Sequence, residues 1–303
     1  MPENSPEENA LEMRGETPVE KSGRGLLALV ATPIGNLGDL TPRALETMKS
    51  ADLIACEDTR VTGNLLTKFG IHRPIAPYHD HNAEQVRPKL IARLQNGETV
   101  ALVSDAGTPL ISDPGYKLVR EAAAAGIAVT VLPGASAPIA ALVLSGLPTD
   151  RFLFAGFLPA KPGARRVVLQ ELQSVPATLL FFETGPRLAE SLADCRAVLG
   201  DRPAAVAREL TKLHEEVRRG TLQDLAAHYR DVGPPKGEIV LVIGAPIAEA
   251  PAIDIDAALE DALRQMGVKE AASMVATASG RSRREIYARA LALLDRRGGE
   301  RDG

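Results

Sequence analysis

Tryptophan is absent from the 303 residues, aromatic side chains make up 3%, and there are only two cysteines. A core built from this chain is therefore mainly aliphatic. Cys56 and Cys195 stand far apart, with neither C-x-x-C spacing nor a neighbouring His cluster, which excludes a disulfide framework and a structural zinc. Such cysteine usage suits a reducing, cytoplasmic setting. No apolar stretch reaches the roughly 18 residues of a membrane span, and the first residues lack the basic start and apolar core of a secretory signal. Neither sign of charge dominates: a net charge of -4 exerts no global pull towards nucleic acid, although a local basic face remains open.

What is present is a 45% hydrophobic chain, long enough for more than one domain. Residues 1–24 are rich in Glu, Pro and Asn, and are expected to form a disordered acidic tail. From Gly25 apolar strands alternate with amphipathic helices: strands 26–31, 52–56, 99–103 and 127–132, helices 41–50, 84–96, 115–125 and 135–146. This pattern predicts an α/β domain over 25–147 with a mostly parallel sheet covered on both faces. Residues 148–246 predict a second α/β domain of more antiparallel character, with strands 152–157, 177–183, 204–210, 214–219 and 237–244. Thr221 to Asp224 carries the spacing of a capping box. A Pro/Ala-rich linker follows at 247–256, then three short helices over 257–303 broken at glycines, either a helix-turn-helix or a small helical cap. Its Lys269, Arg281, Arg283, Arg284 and Arg289 favour phosphate contact.

Ligands of open α/β sheets sit beyond the carboxyl ends of the strands, and polar residues collect there. After the first strand, Thr32-Pro33-Ile34-Gly35-Asn36 lacks the G-x-G-x-x-G spacing of a dinucleotide fingerprint, so a pyrophosphate on the following helix is not the natural ligand. Glu57-Asp58-Thr59-Arg60, Tyr78-His79-Asp80-His81-Asn82 and Pro133-Gly134-Ala135-Ser136 follow other strands. The most informative segment is Ser104 to Gly115, "SDAGTPLISDPG". It is too rigid and too polar for a mere connector, and its glycines permit close backbone approach to a ligand. His79 and His81 flank Asp80 without a further clustered donor, so no metal site is expected.

The blocks "VATPIGNLGDLTPRAL", "ACEDTR", "YHDHN", "LVSDAGTPLISDPG", "LPGASA", "FFETGPRL", "HEEVRRGTL" and "KGEIVLVI" resemble, in order and spacing, the branch of the tetrapyrrole methylase family that modifies ribosomal RNA. The resemblance covers residues 26 to about 245, and the C-terminal helices look like that branch's helix-turn-helix extension. Pro186 departs from it, since His more often precedes the Arg. The resemblance implies S-adenosylmethionine folded into a cleft between two domains. Pro33, Gly35, Asp105, Ala106, Gly107, Thr108, Ala135 and Ser136 are then expected on one side of it, and Phe182, Glu183, Ala207 and Gly237 on the other. It also implies a homodimer, and methyl transfer to the ribose 2′-hydroxyl of a decoding-centre cytidine in 16S rRNA, presented within the small ribosomal subunit.

A ribose hydroxyl is a poor nucleophile and needs a positioned base. Glu57, Asp58, His79, Asp80 and Asp113 are candidates among which the sequence does not choose. Arg60 would face a phosphate or form an internal pair with Asp58. Asn82, Arg187, Arg208 and Lys236, with Arg165, Arg166 and Lys212, are further candidates for RNA contact. Two other readings remain open at this level: a methylase for a small tetrapyrrole-like acceptor, and a helix-turn-helix regulator with an α/β sensor body.

Overall fold

The computed structural model describes residues 25–112, 115–246 and 254–299. The expected tail 1–24, most of the linker and Asp113 lie outside them. The chain divides into two compact units, one ending at Ala245 and the other beginning at Pro246.

The first unit holds two five-stranded sheets. Strands β1 (Leu26–Val30), β2 (Leu53–Cys56), β3 (Ile75–Pro77), β4 (Thr99–Val103) and β5 (Ala128–Leu132) form an all-parallel sheet in the order β3-β2-β4-β1-β5. Burial on both faces explains why these strands read as continuous apolar runs. Ala28 and Val30 point to a core shared with Ala44 and Met48 of α1 (Pro42–Ser50) and Leu66 of α2 (Thr59–Lys68). Leu27 points the other way, to Leu90 and Leu94 of α3 (Ala83–Gln95) and Leu118 of α4 (Tyr116–Ala124). The connections leaving adjacent β1 and β4 therefore go to opposite faces of the sheet. They open a crevice between the two strand ends, the usual place for a ligand in such sheets.

Strands β6 (Phe152–Phe157), β7 (Thr178–Thr184), β8 (Pro203–Arg208), β9 (Glu216–Thr221) and β10 (Glu238–Ile243) make a mixed sheet in the order β6-β7-β10-β8-β9. Only β6 and β7 are parallel. One face packs on α6 (Pro162–Leu172), α7 (Gly185–Leu199) and α8 (Leu222–Val232) through Leu169, Leu188, Leu192 and Leu225. The opposite face is covered by α5 (Ala137–Ser145), whose Ala141 and Leu142 pack with Leu180, Ala205 and Val240. Helix α5 is nearly all apolar, with one face on the second sheet and Ile139, Val143 and Leu144 exposed on the other. Arg219 of β9 donates to the carbonyls of Leu144 and Ser145 at the end of α5, tying the second sheet to the hinge at Gly146. Thr221 caps α8 in a reciprocal capping box with Asp224, as the spacing predicts.

Two elements are additions to the predicted pattern, α2 and the short β3. Prolines bracket β3 at Pro74 and Pro77 and leave it too short to read as a strand, and α2 carries two poor helix formers, Gly63 and Asn64, at its middle. The expected strand 204–210 stops at Arg208. Glu209 and Thr211 take positive φ values of 51° and 65° and turn the chain out of the sheet. Arg165 corrects another expectation. It is 1% exposed, its guanidinium 2.6 Å from Asp194, and it cannot reach a phosphate.

The second unit is three helices, α9 (Ile255–Gln265), α10 (Val268–Ser279) and α11 (Arg283–Gly299). They share a core of Leu259, Ala271, Ala272, Val275, Ile286 and Ala290. Helix α9 starts inside the expected linker, and Gly280, with φ at 67°, ends α10. Among the described residues no helix is long and apolar enough to cross a membrane.

Candidate functional site

The loops at the carboxyl edge of the first sheet are fastened to one another. Thr32 exchanges backbone hydrogen bonds with Gly107 across the crevice, and its Oγ1 donates to the Ser104 carbonyl. Ser104 Oγ donates to the Gly107 carbonyl, and Thr108 Oγ1 to the Ala135 carbonyl. The backbone N–H of Asp58 donates to Asp105 Oδ1 at 3.0 Å. Gly107 has φ at 84°, and a Cβ there would press on Ile34 at 3.2 Å. Only glycine brings the backbone this close without strain.

Between these loops and the second sheet lies a cleft of about 330 Å³. From the first sheet it is walled by Ile34, Asp105 to Thr108 and Ser136 to Pro138. From the second it is walled by Phe182 to Thr184, Ala207, Leu210 and Gly237 to Val240. Of the residues expected around the cofactor, all but Pro33, Gly35 and Ala135 line it. Ala135 stands behind Thr108, while Pro33 and Gly35 line an adjoining cavity. Sequence reasoning missed Phe157, Leu210 and Glu238. Phe157 lies at a strand end and was open to inference, whereas Leu210 and Glu238 reach the cleft only through the pairing of β8 with β10.

The charged side chains of the cleft are all acidic: among the described residues no Lys, Arg or His lines it. Glu183 is fully buried, accepting from Ser191 Oγ at 2.5 Å and from the Thr184 N–H, with Arg187 alongside. Glu238 pairs with Lys212, which also bonds Glu209 and holds that carboxyl below its ordinary pKa. The stem of Lys212 lies over Gly35, where a Cβ would meet it at 2.3 Å, so this loop of the second sheet rests on the first. Gly237, with φ at 100°, has no room for a Cβ against Glu209. Asp105 differs from these carboxylates. Among the described residues its partner is a single backbone N–H, that of Asp58, and no cationic side chain pairs with it.

The expected catalytic residues sit behind Asp105 and do not line the cleft. Asp58 accepts from the Arg60 N–H as the cap of α2, and its carboxylate pairs with the Arg60 guanidinium at 2.5 Å. Those hydrogen bonds hold its pKa down to about 2. Burial pushes the Glu57 pKa up, with the charges of Asp105 and Asp80 adding to the effect. His79 Nδ1 is buried, with no hydrogen-bond partner among the described residues. Asn82 folds back, accepting from the His79 N–H and donating to the Pro77 carbonyl. Arg187 is engaged with Leu158 and Glu183, and Arg208 with Glu216 and the Lys236 carbonyl. Arg281 pairs with Glu285 on α11, and Arg289 with Asp256. Arg283 and Arg284 are exposed on the same helix.

Comparison with known proteins agrees with this geometry. Residues 26–226 match the family model described as Tetrapyrrole (Corrin/Porphyrin) Methylases, and residues 249–294 match the model of the RsmI C-terminal HTH domain. A protein of Mesorhizobium japonicum named ribosomal RNA small subunit methyltransferase I is 56% identical over 280 residues, 91% of this chain and 95% of that protein. One of the same name from Escherichia coli O157:H7 is 47% identical, over 89% of this chain and 96% of its own length. Among solved structures, diphthine synthase superposes with a TM-score of 0.56 at 21% identity, covering 72% of this chain and 90% of that one. The cobalt precorrin-4 methyltransferase CbiF gives 0.53 at 18%, covering 72% and 94%. Both share the fold.

Proposed function

The chain belongs to the tetrapyrrole methylase family, and from that premise we propose that it is an S-adenosylmethionine-dependent methyltransferase acting on the RNA of the small ribosomal subunit. The acceptor is the ribose 2′-hydroxyl of a decoding-centre cytidine in 16S rRNA. The observation that carries this reading is 56% identity over 91% of the chain to a small-subunit rRNA methyltransferase.

The cleft fits the cofactor. Its volume is that of a small-molecule site, and its acidic lining disfavours a phosphate-rich nucleotide and favours a cation. S-adenosylmethionine supplies a methyl group carried on a positively charged sulfonium. Asp105, whose carboxylate pairs with no cationic side chain among the described residues, is the residue best placed to favour that charge. The backbone amides of Ala106 to Thr108 and the apolar walls of Ile34, Phe182, Ala207 and Leu210 hold the ligand and exclude water.

Alignment is the main task of such a site, and removal of the hydroxyl proton is the other. Glu57 is assigned as proton acceptor: it stands beside Asp105, and partial desolvation and acidic neighbours raise its affinity for a proton, although its side chain remains exposed. Asp58 is unsuited, since capping α2 and pairing with Arg60 hold its carboxylate in the ionised, weakly basic form. As the hydroxyl oxygen attacks, its proton passes to the Glu57 carboxylate. Exposed Arg283 and Arg284 of the helix-turn-helix unit are assigned to RNA phosphates, which position without reading sequence.

An enzyme with this substrate works in the cytoplasm, where ribosomal subunits are assembled. A homodimer, which the family resemblance implies, is supported by apolar side chains left exposed on edge strand β5 and on α5, Val131 and Val143.

The test is incubation of the purified chain and methyl-labelled S-adenosylmethionine with small subunits from cells lacking this modification, followed by mapping of ribose methylation. Label on a decoding-centre cytidine, lost in Asp105→Ala, is the expected result. Cofactor binding without label on RNA would move the acceptor to a small molecule.

A further inference from the structure

The cleft has a neighbour. A second cavity of about 270 Å³ opens between the loop after β1 and helix α2, and Asp105 lines both. Leu37 stands on the loop side and Val61 on the helix side, 40% and 43% exposed. Pro33 and Leu65 extend these two apolar walls. Large apolar side chains held open to water around a concavity are surface that an occupant would cover.

Besides the Asp105 carboxylate and the buried Thr62, the polar groups of this cavity fall into two sets. Thr32 and Ser104 are buried, and their hydroxyls already donate to the backbone. Asn64 and Lys68, four residues apart and so on one face of α2, are different: both are exposed, and neither has a partner among the described residues. An amide offers a donor and an acceptor side by side, and an ammonium offers a point charge. Apolar walls, an edge-reading amide and a single cation one turn away suit a flat heterocycle attached to a phosphate. A macrocycle bearing several carboxylates would need more than one cation here.

Resting on the methyltransferase reading above, we propose that this second cavity receives the base of the acceptor nucleotide, turned out of its stack. Asn64 hydrogen-bonds the edge of the ring and Lys68 pairs with an adjoining phosphate. Because Asp105 forms the partition between the two cavities, a nucleotide whose base lies in the second presents its ribose at the boundary of the first. Base recognition then falls to α2, while the helix-turn-helix unit supplies contacts that are blind to sequence.

The experiment uses the full chain, small subunits lacking the modification, and labelled S-adenosylmethionine, with Asn64→Ala, Lys68→Ala and Lys68→Arg. Both positions are exposed, and thermal melting checks that each variant is folded. Asn64→Ala and Lys68→Ala are expected to raise the KM for the subunit by about tenfold, equivalent to about 1.4 kcal/mol, while the Kd for S-adenosylmethionine stays within about twofold. Removing one phosphate contact to single-stranded RNA also flattens the dependence of log KM on log salt by about 0.7. Lys68→Ala should show this change, and Lys68→Arg should not. An unchanged subunit KM in both alanine variants overturns the proposal and leaves the methyltransferase reading standing. A parallel loss of cofactor affinity overturns it too, by assigning the cavity to the cofactor. If the unaltered chain labels no RNA, the assignment of RNA as acceptor fails and this proposal fails with it.

Discussion

The two sheets of the first unit carry similar numbers of strands but different burdens. The parallel sheet places every strand end on one edge, so its loops can gather Asp105, Gly107 and Ser136 around one crevice, with Glu57 behind Asp105. The mixed sheet sends its strand ends in both directions and offers no such edge. It contributes a wall instead, made of the ends of β7 and β10 and held by charged pairs such as Glu183 with Arg187 and Glu238 with Lys212. Substitutions at the functional edge of the first sheet should therefore impair chemistry with little loss of stability, and substitutions in the second should do the reverse.

The largest expected effect tests the second sheet. Arg165 and Asp194 are 1% and 7% exposed and joined at 2.6 Å, between α6 and α7. Arg165→Met leaves a buried carboxylate with only the half-exposed Arg166 beside it, and breaking a buried pair in this way costs about 3–5 kcal/mol. Denaturant titration should show that loss, with cofactor affinity at low temperature retained in the folded fraction. A loss below about 1 kcal/mol would erase the contrast.

Next is Glu57→Gln, at the edge of the first sheet. Removing a positioned base should lower kcat by about 10²-fold, the lower end of what such groups contribute. Because the folded pKa is raised, the parent rate should fall with acidification at a pH above the ordinary glutamate value of 4.5, and the variant should lose that limb. The sign for stability is opposite to that of a paired carboxylate. A raised folded pKa favours the folded state only where the group is protonated, so at neutral pH the variant should be as stable as the parent or slightly more so. A pH profile that keeps its acid limb would remove Glu57 from the role of base.

The smallest effect concerns Thr221, whose side chain accepts from the Asp224 N–H at 3.2 Å and caps α8. Thr221→Ala should cost about 1 kcal/mol of stability, read from a denaturant midpoint, with kcat unchanged. A change in kcat would show that the wall formed by the second sheet is more closely coupled to the chemistry than its geometry suggests.

Much of this arrangement is legible in the chain. Continuous apolar runs ending in Gly, Pro, Asp and Ser announce a buried parallel sheet with a functional edge, and the capping signal at Thr221 marks a real helix start. Residue roles are less legible. Asp58 and Arg60 look like a catalytic pair because they follow a strand, yet their side chains close on each other at the start of α2. Arg165, Arg187 and Arg208 look like phosphate ligands, and the fold gives each of them internal partners. A one-dimensional pattern records that a side chain is charged, and burial decides which way that charge is turned.

The sequence by itself determined the local periods, the caps, the glycines that must take positive φ, and the order in which strand ends present their polar loops, because each depends on neighbours within a few residues. Only the tertiary structure decided that α1 and α4 leave adjacent strands on opposite faces, that α5 packs on the second sheet, and that, among the described residues, Asp105 is the cleft carboxylate with no cationic side chain paired to it. Those outcomes depend on contacts between residues far apart in the chain, made only when each sheet closes on its own core and the loops of one meet the other.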